Sequence, residues 1–447
     1  MERPHDRPAR VRGLAPLGAV RGEFRAAGSK SIAQRALVLA SLAQGETRIA
    51  GLPAGADVRS ALGVLRAAGI EVRELAPAAV SVRGAPPGPH RGWRAAAPLE
   101  LGESGTLARF SLAVAGLCGR SEDRFELRAS GTLARRRSDA LVRALAEAGV
   151  QFESPPWPAR LAPIGPPPTV HLRDARSSQE ASALALALCA WPDESELLVH
   201  GTLPSEPYFE MTLRMLAQFG ARIERVEGGL RLRGPLRAPE APISVEPDAS
   251  AAAVALAAGC LGGGEVLARG LAPLALQGDV RIVEHLRAFG CRAVFARDGL
   301  VGAGFPQRAA RVDLSGEPDL APVLAAVAAG AALVDPEGTS ELTGLGTLPG
   351  KESSRIETLA QGLRAAGWHA EAGAERLRIA AGEYRAGPVV PADVELDPRG
   401  DHRMAFAFAL LGLVRPGVLV REPECVAKSW PSFWKDLAAL GARTIER

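Results

Sequence analysis

The sequence predicts an α/β (α+β) protein built from six repeats, and three observations support this fold class. An amphipathic helix that ends in glycine recurs at nearly even intervals along the chain. A second series of helices, apolar on all sides, alternates with the first. Short runs of β-forming residues lie between the helices. Evenly spaced copies of one supersecondary unit are typical of a repeat architecture, so we expect six units of similar structure.

The helices of the first series are predicted to lie at the surface, because each has a charged face. A glycine just after a helix favours the left-handed conformation that ends it. The glycines in question are Gly69, Gly149, Gly220, Gly290, Gly367 and Gly441.

The helices of the second series are predicted to be buried, because a helix that is apolar all round packs against protein on every side. Each begins with a polar motif. These motifs are Ser29-Lys30-Ser31, Ser104-Gly105-Thr106, Ser177-Ser178-Gln179, Asp248-Ala249-Ser250, Pro318-Asp319 and Gly400-Asp401-His402-Arg403. Strands, for example over 71–74, 222–227 and 229–233, are expected to form sheets that cover the buried helices.

Six units in one chain suggest two lobes of three. The proline-rich stretch 234–242 is the expected break, which gives one lobe over 25–242 and a second lobe over 1–24 plus 243–447. The chain would then cross between the lobes near 24–28 and near 240–246. The segment 1–24 contains a strand-like piece, 14–24, that we expect to complete the last repeat.

Composition restricts the possible partners. The net charge of +3 is too small to indicate nucleic acid or a membrane surface. The five cysteines are far apart, which argues against a zinc site or a disulfide framework and favours a reducing cytoplasm. Residues 1–12 do not resemble a secretory signal, and the longest apolar run, 251–262, is too short to span a bilayer.

Residues 28–49 contain the most informative of the polar motifs. A turn with Ser29, Lys30 and Ser31 leads into an apolar helix that stops at Gly45. Free backbone N–H groups at a helix start attract anions, so the turn suits an anion site. An equally simple interpretation is an N-cap serine followed by a solvated lysine. The remaining motifs favour the anion site, because ordinary capping does not explain Arg35, Gln179 and Arg403 inside helices otherwise free of charge.

If three parallel buried helices form the core of each lobe, their N-termini emerge on one face. Two such faces opposed across a cleft would gather six helix starts around one small polyanion. More cations lie in loops, at Arg135-Arg136-Arg137, at Lys351-Glu352-Ser353-Ser354-Arg355 and at Lys428. The chain has four lysines, Lys30, Lys351, Lys428 and Lys435, among 53 basic residues, and three of them fall in these motifs.

Taken in order, these motifs resemble those of the EPSP synthases, the 3-phosphoshikimate 1-carboxyvinyltransferases, over nearly the whole chain. The segment 28–36 resembles the family signature Gly-Ser-Lys-Ser-x-x-x-Arg-Ala. Asp401-His402-Arg403-Met404-Ala405 is the most specific match. The motifs at 177–179, 246–250, 351–355 and 427–429 also fit.

The resemblance implies a two-lobed inside-out α/β barrel with three βαβαββ units per lobe around buried parallel helices. It implies transfer of the enolpyruvyl group of phosphoenolpyruvate to the 5-hydroxyl of shikimate 3-phosphate, with release of phosphate, on the route to chorismate and the aromatic amino acids. It implies no metal or organic cofactor. We also expect a cytoplasmic monomer that has no nucleic-acid or membrane partner.

The resemblance also implies residue roles. The acid–base candidates are Lys30, Asp319 and Glu352. Shikimate 3-phosphate is expected to contact Lys30, Ser31, Arg35, Ser177, Ser178, Gln179, Ser205, Asp319 and Lys351. Phosphoenolpyruvate is expected to contact Lys30, Gly105, Arg136, Gln179, Arg355, Arg403 and Lys428.

Four departures from the family pattern bear on activity. Glu103 replaces the usual asparagine beside Gly105 and is expected to weaken phosphoenolpyruvate binding unless it is paired or turned away. Pro349 and Ser354 replace an arginine and an aspartate, and Thr347 stands where many members have asparagine. The triplet 135–137 leaves the register of the binding arginine open by one residue.

Two alternatives to this function remain at the sequence level. One is the related enolpyruvyl transferase that acts on UDP-N-acetylglucosamine, which typically has a cysteine in the loop matching 129–137 and lacks the Asp-His-Arg motif. Neither property fits this chain. The other is a degenerate homologue that binds shikimate 3-phosphate without turnover, as Glu103, Pro349 and Ser354 would allow.

Overall fold

The computed structural model describes residues 11–15, 18–88, 92–154, 157–387 and 391–447. Over these residues, helices of two kinds alternate along the chain, as the sequence predicts. The helices are α1 (Lys30–Leu42), α2 (Ala56–Ala67), α3 (Gly105–Cys118), α4 (Asp139–Glu147), α5 (Ser178–Leu188), α6 (Glu206–Gln218), α7 (Ala249–Leu261), α8 (Ile282–Ala288), α9 (Ala321–Val334), α10 (Arg355–Ala365), α11 (His402–Leu411) and α12 (Phe433–Ala439). The odd-numbered helices are almost entirely buried, and the even-numbered helices bury one face.

The strands in the first half of the chain are β1 (Val11–Ala15), β2 (Gly22–Phe24), β3 (Glu46–Ala50), β4 (Glu71–Ala76), β5 (Ala79–Arg83), β6 (Leu99–Glu100), β7 (Phe125–Arg128), β8 (Gln151–Ser154), β9 (Ala159–Ala162), β10 (Thr169–Arg173), β11 (Glu194–His200), β12 (Arg222–Val226) and β13 (Gly229–Arg233). Those in the second half are β14 (Ile243–Ser244), β15 (Glu265–Arg269), β16 (Arg292–Ala296), β17 (Gly299–Ala303), β18 (Arg311–Asp313), β19 (Thr339–Thr343), β20 (His369–Ala372), β21 (Leu377–Ala380), β22 (Val394–Leu396), β23 (Val418–Arg421) and β24 (Arg443–Glu446).

The described strands form six sheets of four strands, all with the same topology. Their orders are β14-β3-β5-β4, β6-β7-β9-β8, β10-β11-β13-β12, β2-β15-β17-β16, β18-β19-β21-β20 and β22-β23-β1-β24. In each sheet the first pair is parallel and the next two pairs are antiparallel. A parallel pair needs a crossover connection, and in four of the sheets this crossover contains a buried helix. The six-repeat α/β architecture predicted from the sequence is confirmed.

The even-numbered helices all end in the same way. The predicted glycine follows each helix with a φ between +75° and +112°. The next backbone N–H bonds to a leucine carbonyl five residues earlier, which is the Schellman arrangement. The six bonds are Ile70 to Leu65, Val150 to Leu145, Ala221 to Leu216, Cys291 to Leu286, Trp368 to Leu363 and Ala442 to Leu437. One local solution is therefore repeated six times.

The chain forms two compact units. The central unit is 27–246, and the terminal unit joins 1–26 to 247–447. In the central unit α3 packs against α1 and α5, and α5 packs against α6. In the terminal unit α9 packs against α7 and α11. Alanine-rich helices such as α7 and α9 form readily and approach one another closely because alanine has high helix propensity and a small side chain.

Two of the sheets contain a strand from the segment 1–24, and here the prediction was partly wrong. β1 lies in the sixth sheet, as expected, where it pairs with β23 and β24. β2 instead pairs with β15 in the fourth sheet. Within this stretch, residues 18–21 are described and lie outside any strand, and the backbone N–H groups of Val20 and Arg21 bond to the carbonyls of Gly262 and Leu440. Strand pairing over such distances depends on tertiary packing, which local sequence does not encode.

Within the part of the chain that the structure describes, none of the helices has both the length and the apolar character needed to cross a bilayer.

Candidate active site

Polar residues at the starts of α1, α2 and α3 form a connected network in the central unit. Lys30 begins α1, and its Nζ lies 3.3 Å from Oδ2 of Asp57, in the first turn of α2. Gln34 is buried and donates to the Ser104 hydroxyl at 2.7 Å and to the Asp57 carbonyl at 3.4 Å. The first turns of three helices are thereby fixed to one another.

Two guanidinium groups lie beside the start of α3. Arg109 donates through Nη1 to the Gly105 carbonyl and to Oε1 of Gln179, both at 2.9 Å. Burial lowers the pKa of Arg109 to about 10, which leaves it charged at neutral pH. The position that a Cβ would occupy at Gly105 lies 2.9 Å from Arg109 Nη1 and 3.3 Å from Arg136 Nη2. We call Lys30, Asp57, Gly105, Arg109, Arg136 and Gln179 the arginine-rich cluster.

The three arginines of the triplet differ in their exposure and contacts. Arg135 and Arg137 are exposed, and Arg137 pairs with Asp139 at 3.0 Å. Arg136 is half-buried, and its carbonyl accepts a hydrogen bond of 2.9 Å from the Trp157 indole. Arg136 is therefore the member of the triplet whose guanidinium reaches Gly105.

Ser177 and Ser178 begin α5 beside Gln179. Ser177 caps the helix, with its hydroxyl 3.3 Å from the Gln179 N–H, and Glu180 completes a capping box. The first turn of α5 thus carries both a capping serine and the partner of Arg109.

Arg35 lies one turn into α1 and is 1% exposed. It donates to Thr212 at 2.7 Å and to the carbonyls of Ser31 and Tyr208 at 3.0 Å. Burial lowers the pKa of Arg35 to about 10. Ser205, just before α6, adopts a left-handed conformation with a φ of +55°, one turn from Tyr208. Arg35 therefore ties the starts of α1 and α6 together and adds a buried positive charge beneath Ser31.

A second group of charges lies in the terminal unit at the starts of α9, α10 and α11. Arg355, the first residue of α10, is its centre. It donates to Asp401 at 2.7 Å, to Asp319 at 2.9 Å and to Glu352 at 2.7 Å. Its side chain is 2% exposed. Burial lowers the pKa of Arg355, but the charges of Asp401, Glu352 and Asp319 outweigh burial and raise it above its ordinary value.

The Asp319 carboxylate contacts three cationic side chains. Its carboxylate lies 3.0 Å from Arg403, 2.9 Å from Arg355 and 3.4 Å from Lys351. Burial raises the pKa of the Asp319 carboxyl, but the charges of Arg403, Lys351 and Arg355 together hold it well below its ordinary value. Burial is also the main reason that the pKa of Lys351 is lowered.

We call this second group of charges the paired-charge cluster. Its remaining members are Lys428 and Asp401. Lys428 lies 3.3 Å from Oε1 of Glu352, whose other oxygen contacts Arg355. Asp401 is fully buried and caps α11 by accepting the Arg403 N–H at 3.0 Å. The charges nearly cancel, because the cluster contains Lys351, Arg355, Arg403 and Lys428 on one side and Asp319, Glu352 and Asp401 on the other.

Comparisons with known proteins identify the family. Residues 14–437 match the family model for EPSP synthase (3-phosphoshikimate 1-carboxyvinyltransferase). The 3-phosphoshikimate 1-carboxyvinyltransferase of Cellvibrio japonicus is 33% identical over 434 residues, which cover 94% of this chain and 97% of the relative. That of Ralstonia nicotianae is 32% identical and covers 96% and 99%.

The chain belongs to the EPSP synthase family. Two solved structures agree with it in fold. An EPSP synthase from Acinetobacter baumannii has a TM-score of 0.77 at 22% identity, covering 98% of this chain and 100% of the other. The enolpyruvyl transferase NikO from Streptomyces tendae has a TM-score of 0.71 at 18% identity, covering 98% and 99%.

The site residues selected from the sequence divide into two sets, one in the central unit and one in the terminal unit. Residues of the central unit among them are Lys30, Ser31, Arg35, Gly105, Arg136, Ser177, Ser178, Gln179 and Ser205. Those of the terminal unit are Asp319, Lys351, Glu352, Arg355, Arg403 and Lys428, and all six belong to the paired-charge cluster. Their roles toward substrates remain predictions.

Sequence reasoning missed three residues that hold these sets together. Asp57, the partner of Lys30, resembled an ordinary acidic residue in a first helical turn. Arg109 was missed although it is an arginine inside an apolar helix, the same signal that selected Arg35. Asp401 was noted only as part of a motif, yet its carboxylate caps α11 and binds Arg355.

Proposed function

We propose that this chain transfers the enolpyruvyl group of phosphoenolpyruvate to the 5-hydroxyl of shikimate 3-phosphate and releases phosphate. The observation that carries the proposal is the composition of the paired-charge cluster. There the two proposed proton-transfer carboxylates, Asp319 and Glu352, lie within 3.4 Å of cations that an anionic substrate would also bind. Family membership supports the same reaction.

The arginine-rich cluster is proposed to bind substrate anions. Lys30, Arg109 and Arg136 carry three positive charges, against which Asp57 supplies one negative charge at Lys30. Guanidinium groups match the geometry of phosphate and carboxylate oxygens. Phosphoenolpyruvate, which carries both groups, is proposed to bind beside Gly105 and Arg136.

The helix starts in the central unit are proposed to bind shikimate 3-phosphate. The first turn of α5 offers Ser177, Ser178 and Gln179, and a helix N-terminus favours a phosphate. Ser31 and the buried charge of Arg35 are proposed to face the acceptor's carboxylate, and Ser205 contributes at the start of α6.

In the paired-charge cluster, ligand binding is proposed to exchange partners. Arg355, Arg403 and Lys428 are occupied by Asp319 and Glu352 in this structure. A phosphate or carboxylate that replaces these oxygens releases the two side chains. The pKa of Asp319 would rise as its cations become neutralised by the ligand, which prepares the carboxylate to accept a proton.

The reaction needs groups that can both give and take a proton. In the addition step, the methylene carbon of phosphoenolpyruvate gains a proton while the 5-hydroxyl loses one and attacks the neighbouring carbon. In the elimination step, phosphate leaves and the new methyl group loses a proton. Lys30, Asp319 and Glu352 are proposed for these transfers, since each can give or take a proton and lies within 3.4 Å of an oppositely charged group.

The departures from the family pattern leave these groups assembled. Glu103 points to Thr132, with 3.0 Å between the carboxylate and the hydroxyl. Pro349 lies in a short 3-10 helix, Leu348–Gly350, and Ser354 directly precedes α10. Neither replacement breaks the contacts of Arg355. We therefore favour an active enzyme over a homologue that only binds ligand.

We further propose that the protein acts in the cytoplasm as a monomer. The five cysteines are unpaired, as expected in a reducing compartment. Among the described residues, the large hydrophobic side chains that are exposed are Leu75, Leu274, Val294 and Val334. Isolated exposed residues of this kind do not indicate an oligomer interface.

Steady-state phosphate release tests the proposed reaction. Phosphate should appear only when phosphoenolpyruvate and shikimate 3-phosphate are both present, and UDP-N-acetylglucosamine should not replace the acceptor. The absence of turnover with shikimate 3-phosphate would reject the proposal, and turnover with the nucleotide sugar would transfer it to the related activity.

A further inference from the structure

Glu103 continues the pairing of two strands beyond their ends. The parallel pair β6 and β7 is extended by a bond from the Leu101 N–H to the Arg128 carbonyl and by one from the Ser130 N–H to the Gly102 carbonyl, both of 2.9 Å. The Glu103 carboxylate adds the next connection. Its Oε2 accepts from the Thr132 hydroxyl at 3.0 Å and from the Thr132 N–H at 3.4 Å.

Gly131 makes room for this carboxylate. It has a φ of +52°, in the left-handed region. A Cβ at this position would lie 2.1 Å from Oε1 of Glu103 and 2.3 Å from its Cδ, so a side chain here would displace the carboxylate. The Glu103 carboxylate therefore reaches Thr132 through space that a glycine at position 131 leaves open.

The connection leads to Arg136 within one turn. Thr132 is the second residue of a short 3-10 helix, Gly131–Arg135. Arg136 follows directly, with its N–H bonded to the Leu133 carbonyl at 2.9 Å. Glu103 also lies two residues before Gly105 in the chain. The Arg136 guanidinium lies beside Gly105. Glu103 thus joins the start of α3 to the loop that carries Arg136.

We propose that Glu103 is a positioning residue for phosphoenolpyruvate, acting through Thr132 to set the distance between Gly105 and the Arg136 guanidinium. This inference rests on the proposed function of Arg136. It assigns to the glutamate the opposite effect from the one that its charge alone suggests. A carboxylate beside an anion site would repel the substrate, whereas a carboxylate that anchors the Arg136 loop strengthens binding.

Steady-state kinetics of Glu103→Ala separate these two effects. We expect the KM for phosphoenolpyruvate to rise about tenfold, because a charge-assisted anchor of the loop is lost, while kcat and the KM for shikimate 3-phosphate stay within about twofold. Glu103→Gln keeps an acceptor oxygen and should recover most of the wild-type KM. Glu100→Ala is the matched control, because it removes an exposed carboxylate from the same segment, where Glu100 pairs with Arg128 at 3.3 Å.

Thr132→Val provides an independent variant. If Glu103 acts through Thr132, the double variant should bind phosphoenolpyruvate no more weakly than Glu103→Ala alone. A decrease in KM for Glu103→Ala would overturn the proposal in favour of charge repulsion. Fully additive effects, or equal losses for both substrates, would overturn it as well.

A measurement without turnover keeps this test separate from the proposed function. Amide hydrogen exchange over 131–137 should accelerate in Glu103→Ala and remain unchanged in Glu100→Ala. Calorimetric titration with phosphoenolpyruvate should show the same tenfold loss of affinity. If the wild-type chain lacks turnover but both results hold, the proposed reaction fails and the positioning role stands. Unchanged exchange and unchanged affinity would refute the positioning role itself.

Discussion

Gly105→Ala tests the geometry of the arginine-rich cluster with the addition of a single methyl group. The methyl carbon would lie 2.9 Å from Arg109 Nη1, 3.3 Å from Arg136 Nη2 and 3.4 Å from Arg136 Cζ. Ordinary contact begins at 3.4 Å, so Arg109 Nη1 must move by a few tenths of an ångström. Both neighbours are the ends of flexible side chains, so the helix itself need not move.

The expected loss falls on phosphoenolpyruvate. Hydrogen bonds to charged groups contribute about 1.5–3 kcal/mol, and a shift of this size removes part of one or two of them. A loss of about 1–2 kcal/mol corresponds to a rise in KM of roughly 5 to 30-fold. The KM for shikimate 3-phosphate should not change, because the methyl group faces the two arginines. Inhibitors that mimic phosphoenolpyruvate should weaken in parallel.

Phosphate release with each substrate varied in turn measures this effect, and a thermal melt checks the fold. Gly63→Ala is the matched control, because Gly63 lies in α2 and a Cβ there would have no neighbour within 4 Å. An unchanged KM for phosphoenolpyruvate in Gly105→Ala, or an equal change in Gly63→Ala, would refute the placement of the substrate beside Gly105.

Two further variants test the proton-transfer groups. Lys30→Ala should lower kcat by at least about 100-fold while shifting the free energy of unfolding by only about 1 kcal/mol, because the Lys30 side chain is 25% exposed. A large loss of stability in the melt would instead indicate a structural lysine. Asp319→Asn should abolish turnover and lower the free energy of unfolding in urea by about 3 kcal/mol, since three cations lose a charged partner. Wild-type stability in this variant would contradict the pairing. The folded pKa of Asp319 is depressed, so its contribution to stability is present above the unfolded pKa of about 4 and is lost as the pH falls below it. Urea unfolding between pH 3 and 6 should therefore show a shallower acid loss in Asp319→Asn than in the wild type, and parallel curves would exclude Asp319 as its source.

Regular features of the fold could be predicted from the sequence because they depend on local patterns. The six helix ends follow from a leucine, an apolar residue and a glycine at fixed spacing, and the same backbone bonds form at each. The buried helices follow from composition, since a helix that is apolar on nearly all sides has no face suited to water. The partners of short strands could not be read in this way. β2 is a strand of only three residues, and it pairs with β15, which lies in the other half of the chain.

The types of residue in the site could be predicted, but their partners could not. Helix starts and unexplained cations led to Lys30, Arg35 and Arg403, because such residues are rarely buried without a reason. The direction in which a side chain points is not encoded by its local pattern. Glu103, for example, was expected from its charge to weaken phosphoenolpyruvate binding. In the structure its carboxylate points toward Thr132, through space that Gly131 leaves open.

In the paired-charge cluster, too, the contact partners of a residue could not be predicted from the sequence. From the sequence alone, Arg355 is a cation available to substrate. In the structure it contacts Asp319, Glu352 and Asp401, which lie up to 46 residues away in the chain. If substrate binds Arg355 as proposed, its anionic groups must therefore exchange with these carboxylates.

Turnover in D₂O tests the central claim of addition followed by elimination most directly. If protein groups protonate the methylene carbon and later remove a proton from the resulting methyl group, the enolpyruvyl product should acquire deuterium at that carbon, detectable by mass spectrometry. The label should appear with the wild-type chain and with Gly63→Ala, and should vanish with Asp319→Asn. A product formed at the normal rate without deuterium would contradict the account.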